Sequence, residues 1–97
     1  MPYVAHITRV ADGETRTRIF DDDWDDEGSE FWWSQGNYSC DCNRYLEFER
    51  AGGHEPDIDD GACGEGAYRV KIVLPDGSVP YWEGPEDVER GGEGEGV

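Results

Sequence analysis

Seven of the ten residues between positions 21 and 30 are carboxylates: Asp21, Asp22, Asp23, Asp25, Asp26, Glu27 and Glu30, grouped around Trp24. Like charge at that density opposes burial and regular pairing, so the stretch is expected to be an exposed loop. Any core has to come from the residues on either side. Directly after the run stands Phe31-Trp32-Trp33, the most hydrophobic triplet in the chain. It reads as core that pins the far end of the loop, or else as a source of one exposed tryptophan anchor for a protein interface.

On the N-terminal side, Tyr3 to Val10 and Thr15 to Phe20 are β-prone runs separated by Ala11-Asp12-Gly13-Glu14. An Asp-Gly pair between two such runs predicts a hairpin. On the C-terminal side, Tyr68, Val70, Ile72 and Leu74 alternate with Arg69 and Lys71, the signature of a half-buried strand. Pro75-Asp76-Gly77-Ser78 supplies a turn, and Val79 to Trp82 returns as a partner strand that Pro80 confines to a sheet edge. Between the hairpins, Ser39 as a cap and Gly52-Gly53 as a stop predict a helix over roughly 40 to 51, with Cys42, Tyr45 and Leu46 on one face. Residues 52 to 67 read as a long loop.

The expected fold is therefore a small single α+β domain over residues 1–83: antiparallel β-hairpins packed with one short helix and long acidic loops. Residues 84–97 are acidic and Gly-rich and read as a disordered tail. No apolar run approaches 18 residues, and no basic segment precedes an apolar one, which predicts a cytosolic protein.

The whole chain carries 24 acidic against 8 basic side chains, a formal charge of −16 on 97 residues. A surface of that sign repels nucleic acids and anionic membranes and attracts basic proteins. Ten extended residues span at most about 35 Å, so the carboxylates of the 21 to 30 run would fall about 5 Å apart. That is near the ~3.4 Å spacing of phosphates along one DNA strand. The run, helped by Asp57, Asp59 and Asp60, thus reads as a nucleic-acid mimic able to fill a basic groove; the plainer reading is a solvated face that aids solubility.

Cys40, Cys42 and Cys63 are an odd count, which does not suit a closed disulfide framework, and a cytosolic setting predicts free thiols. With His54 they number the four ligands that tetrahedral zinc requires, although C-x-C is a poor zinc spacing. This gives the alternative reading, a small zinc-binding structural or accessory protein whose acidity serves solubility. Asp23-x-Asp25-x-Glu27-Gly28 opens like a calcium loop but has Ser34 where the twelfth-position Glu belongs. No base is placed to activate a thiol, and acidic surroundings raise a thiol pKa, so no enzymatic activity is expected.

The segment Phe31-Trp32-Trp33-Ser34-Gln35-Gly36-Asn37-Tyr38-Ser39-Cys40-Asp41-Cys42-Asn43-Arg44, followed by Cys63-Gly64, resembles small acidic proteins encoded by bacteriophages and bacteria. The resemblance covers the central third to half of the chain and implies no particular activity. A phage setting, with the protein in the cytoplasm of the bacterial host cell, would favour an inhibitor, since small acidic phage proteins of the anti-CRISPR and anti-restriction type block host nucleic-acid machines. With those inhibitors the chain shares size and charge alone. The expectation is a phage-type inhibitor whose partner is a basic, nucleic-acid-binding host protein such as a CRISPR effector.

Overall fold

The computed structural model describes residues 2–35, 41–55, 64 and 66–84. Their chain order is β1 (Tyr3–Arg9), β2 (Thr15–Phe20), α1 (Gly28–Gln35), α2 (Cys42–Ala51), β3 (Tyr68–Val73) and β4 (Tyr81–Trp82). The strands form one antiparallel sheet in the order β2-β1-β3-β4. This is the α+β architecture the sequence predicts, with a second helix, α1, that it did not.

Both turns have the chemistry expected of them. Gly13 (φ 76°) and Gly77 (φ 91°) occupy the left-handed region that a side chain disfavours. The two hairpins join through β1 and β3, where Ile7 faces Val70 and Ala5 faces Ile72. The predicted second hairpin is shorter on its return side, since pairing is limited to Lys71–Trp82 and Ile72–Tyr81. Pro80 directly precedes β4 and, lacking an N–H, cannot extend that ladder.

One face of the sheet is covered by α2, which lies against β1, β2 and β3. Tyr3, Ala5 and Ile7 of β1 and Tyr68, Val70 and Ile72 of β3 point into this layer, where they meet Trp33, Tyr45 and Phe48. The period-two pattern of β3 is seen as expected. The helix face is not. Arg44, Tyr45, Glu47 and Phe48 are the buried positions of α2, so the core seam runs through Tyr45 and Phe48, not Cys42, Tyr45 and Leu46. Arg16 and Arg18 of β2 flank that seam: Arg16 lies 4.2 Å over the Phe48 ring, and Arg18 pairs with the buried Glu47.

Arg44 is the most connected polar group. Its Nε donates to the Trp33 carbonyl at 3.1 Å, and Nη2 donates to the same oxygen and to the Ser34 carbonyl. These are end-of-helix carbonyls of α1, which have no partner within the helix. Nη1 donates to the Tyr68 carbonyl at 3.1 Å and to Glu83 Oε1 at 3.0 Å, while Nη2 lies 2.7 Å from Glu83 Oε2. Asp41, 3.7 Å from the guanidinium, accepts the Tyr68 N–H at 3.1 Å. Asp41, rather than Ser39, is the N-cap residue of α2, and its carboxylate is spent on β3 instead of on its own helix. Burial pushes the Glu83 carboxyl above the ordinary carboxylate value, with the Tyr81 hydroxyl and Arg44 acting in the other direction.

Removing one partner of such a cluster strands the others. Arg44→Ala is expected to lower the unfolding free energy by about 3–5 kcal/mol in a denaturant titration. Arg50→Ala, which removes the more exposed of the two partners of Glu47, should cost less than about 1 kcal/mol.

Candidate functional site

The acidic run begins where β2 ends. Phe20 stacks on Tyr3 with ring centroids 4.9 Å apart, and Trp24 meets Tyr3 edge-on at 5.3 Å. Trp24 also lies 6.5 Å from Tyr81, so its ring anchors the middle of the loop to the sheet. Its indole N–H donates to Asp26 Oδ1 at 2.7 Å. One of the seven carboxylates therefore fixes the loop's own tryptophan.

A second one starts the helix. The Asp25 carboxylate accepts the Glu27 N–H at 2.9 Å, and Ser29 Oγ in turn accepts the Asp25 N–H at 3.1 Å. The Asp25 carbonyl receives the N–H groups of Ser29 and Glu30. This is reciprocal capping, with the orphan donors of the first turn satisfied by a side chain that also suits the positive end of the helix. Hydrogen bonds from the Glu27 and Gly28 amides hold the Asp25 carboxyl below its ordinary value. At Gly28 an added Cβ would stand 2.9 Å from Asp25 Oδ2, so a side chain there would make the capping carboxylate shift.

The run is thus not an extended strand of charges. From Gly28 onward it is helical, with a rise of about 1.5 Å per residue, and the even phosphate-like spacing expected from an extended chain does not apply there. Asp21, Asp22, Asp23, Glu27 and Glu30 are exposed. The aromatic triplet divides along α1: Trp33 is fully buried, Phe31 is 63 % exposed and Trp32 36 %. Trp32 rests edge-on against Trp33 at 4.4 Å. The core reading of the triplet holds for Trp33 and fails for Phe31, and Trp32 is exposed as the alternative reading requires of an anchor.

Trp32 borders an open cleft of about 340 Å³ whose other walls include Tyr3, Phe20, Asp22, Asp25 and Glu47. Aromatic faces beside the exposed Asp22 carboxylate are chemistry that receives a Lys or Arg side chain, whereas Asp25 is already engaged by the α1 cap and the buried Glu47 by Arg18 and Arg50. Glu47 is the member that sequence reasoning missed. It lies on a helix 17 positions beyond Glu30, and only folding brings it to the loop. Which of the three aromatics would be exposed was not assigned, because α1 was not foreseen and its face could not be placed.

The remaining predicted positions are not brought together among the described residues. Asp57, Asp59, Asp60, Cys40 and Cys63 lie outside them. His54 is exposed just beyond α2. Cys42 is engaged in a disulfide bond, against the expectation of free thiols: an odd count leaves one cysteine over but does not prevent one pair. A disulfide sulfur is not a thiolate, so the set Cys40, Cys42, His54 and Cys63 would serve zinc only after reduction. Among the described residues no group of three or more His, Cys, Asp or Glu is placed to hold a metal ion, the calcium-like opening included, and Asp25 there is committed to its cap. Also among the described residues, no helix is long and apolar enough to cross a membrane.

Comparison with protein families, curated proteins and solved structures found no match.

The acids of the run should separate by role. Asp25→Ala should lower the melting temperature at neutral pH, whereas Asp21→Asn with Asp22→Asn should leave it unchanged or raise it by relieving repulsion. Because the folded-state pKa of Asp25 is depressed, its contribution is present above the unfolded carboxylate value and is lost as pH falls through the folded one. The gap between Asp25→Ala and the parent protein should therefore close on acidification, as read by thermal melts from pH 7 downward.

Proposed function

We propose that the protein is a non-enzymatic, phage-type inhibitor that sets its acidic segment into the basic, nucleic-acid-binding groove of a host defence protein, with a CRISPR effector the first to test. The observation that carries this reading is the pairing of exposed carboxylates with exposed aromatics. Asp21, Asp22, Asp23, Glu27 and Glu30 are exposed in the same segment as the exposed Phe31 and Trp32, Asp22 shares a cleft with Trp32, and Asp25 and Asp26 tie the segment to the α1 cap and to Trp24.

A face serving solubility alone needs charge but neither fixed geometry nor exposed tryptophan and phenylalanine beside it. An interface needs all three: charge to steer the encounter, a preorganised shape to limit the entropy lost on docking, and aromatic anchors at its centre. The fit to a phosphate-binding groove rests on a clustered acidic surface rather than on a linear phosphate register. The Trp32 cleft suits a lysine or arginine that would otherwise hold a phosphate.

The test is capture of partners from a bacterial lysate at low and high salt, followed by measured affinity for the partner recovered. Neutralising Asp21, Asp22, Asp23, Glu27 and Glu30 as Asn or Gln removes five exposed pairs of about 0.5 kcal/mol each, so the affinity should fall roughly 70-fold. Trp32→Ala should cost at least about 2 kcal/mol, or roughly 30-fold, if it is the anchor. Binding that survives the neutralised variant, or a partner that does not elute as salt rises, refutes the reading.

A further inference from the structure

The face of the sheet turned away from α2 has the opposite character to the rest of the molecule. None of the four strands contains Asp or Glu, although the chain has 24 such residues. Among the described residues, Arg9, Arg16, Arg18, Arg44 and Arg50 each have a carboxylate partner. Arg69 and Lys71 do not: Arg69 donates to the Glu83 backbone carbonyl at 3.3 Å, and the Lys71 ammonium sits 5.2 Å from the centre of the Trp82 ring. Both project from β3 onto the open face.

The register sets these groups in an array. Lys71 stands opposite His6 on one side and Trp82 on the other, and Arg69 stands opposite Thr8, which in turn faces Thr15. Directly opposed side chains on antiparallel strands start about 5 Å apart, so His6, Thr8, Arg69 and Lys71 form a compact square of donors. The Thr8 and Thr15 hydroxyls bond each other at 2.8 Å, and His6 Nδ1 lies 3.1 Å from Thr17 Oγ1, which steadies that side of the square. The groups border a cleft of about 380 Å³, closed at one end by Trp82 and Gly84. Gly84 is held close to the indole: a Cβ there would come within 1.9 Å of the ring, so the wall is backbone against aromatic plane.

We propose that this cleft is a binding site for a phosphate monoester joined to a flat apolar body, of the size of a nucleoside monophosphate. Two cations match the dianion, hydroxyl and imidazole donors supply further hydrogen bonds to its oxygens, and the Trp82 end gives the apolar body a wall. The volume lies at the lower end of the range for small-molecule sites. The net charge of −16 does not forbid this, since at physiological salt the Debye length is about 8 Å and contacts within the cleft outweigh charges beyond it. It does discriminate by length: a nucleic-acid strand would run beyond the cleft onto acidic surface, whereas a monophosphate ends where the cations end.

The experiment is an amide and indole NMR titration of the full 97-residue chain with AMP in buffered 0.15 M salt, with sodium phosphate and a synthetic peptide of residues 85–97 as separate arms. The expected result is saturable shifts at His6, Thr8, Arg69, Lys71 and the Trp82 indole, with inorganic phosphate binding at least about tenfold more weakly than AMP. Arg69→Gln and Lys71→Gln should each weaken AMP at least about tenfold while retaining a dispersed spectrum. Neutralising Asp21, Asp22 and Asp23 should not weaken it, which keeps this site distinct from the proposed inhibitor surface. No shift with AMP, equal affinity for AMP and inorganic phosphate, indifference to both substitutions, or binding of the acidic peptide in place of AMP overturns the assignment.

Discussion

The architecture depends on a buried arginine. Arg44 links the last turn of α1, the first turn of α2, the start of β3 and the residue after β4, elements that hydrophobic contact alone would leave free to slide. A guanidinium is suited to this because it presents five donors in a fixed plane and remains charged. Removing it from water is costly, and the cost is offset only if its donors are met. Carbonyls from Trp33, Ser34 and Tyr68 and the Glu83 carboxylate meet them here. In a chain of this length the core is small, so a directional polar cluster adds the specificity of arrangement that a few apolar side chains do not provide.

The same logic sorts the carboxylates. Asp25 caps α1, Asp26 holds Trp24, Asp41 accepts a β3 amide, Glu47 receives Arg18 and Arg50, and Glu83 receives Arg44 and Tyr81. Each of these acids is engaged by donors of the protein itself. The exposed acids around α1 sit on a segment whose course Asp25 and Asp26 help to fix. The acidic surface is therefore positioned by other acids, and charge count alone would have concealed the division.

Local patterns made the strands legible. The β3 alternation, both glycine turns and the edge character of β4 follow from rules that span only a few residues, and the structure agrees with them. The core seam of α2 was misread because Arg44 and Glu47 are charged, and charged positions are assigned outward until a partner is known; Trp33, Tyr68 and Glu83, which meet Arg44, and Arg18, which meets Glu47, lie 11 to 39 residues away. Helix α1 was hidden by the density of carboxylates before it. Its start depends on reciprocal bonds between Asp25 and Ser29, which a reading of composition counts only as one more acid and one more serine. The acidic half of the site was thus visible as a cluster, while its geometry, its aromatic rim and Glu47 required the fold.

The separation of charge between the two sides of the molecule has a partial cause in strand chemistry. Asp and Glu are poor strand residues, so a very acidic chain places its acids in loops and helices and leaves its strands neutral or basic. That explains why the open sheet face lacks carboxylates, but it does not explain why, among the described residues, Arg69 and Lys71 have no carboxylate partner. With acids outnumbering bases three to one, pairing every cation would be the default, and five described arginines follow it. The two that do not are neighbours on one face, two residues apart on β3, beside His6 and Thr8 and next to the wall formed by Trp82. Period-two alternation puts both on one face of β3, and the pairing with Thr8, His6 and Trp82 sets them at one cleft. The proposed ligand would meet there the two cations that have no carboxylate beside them among the described residues.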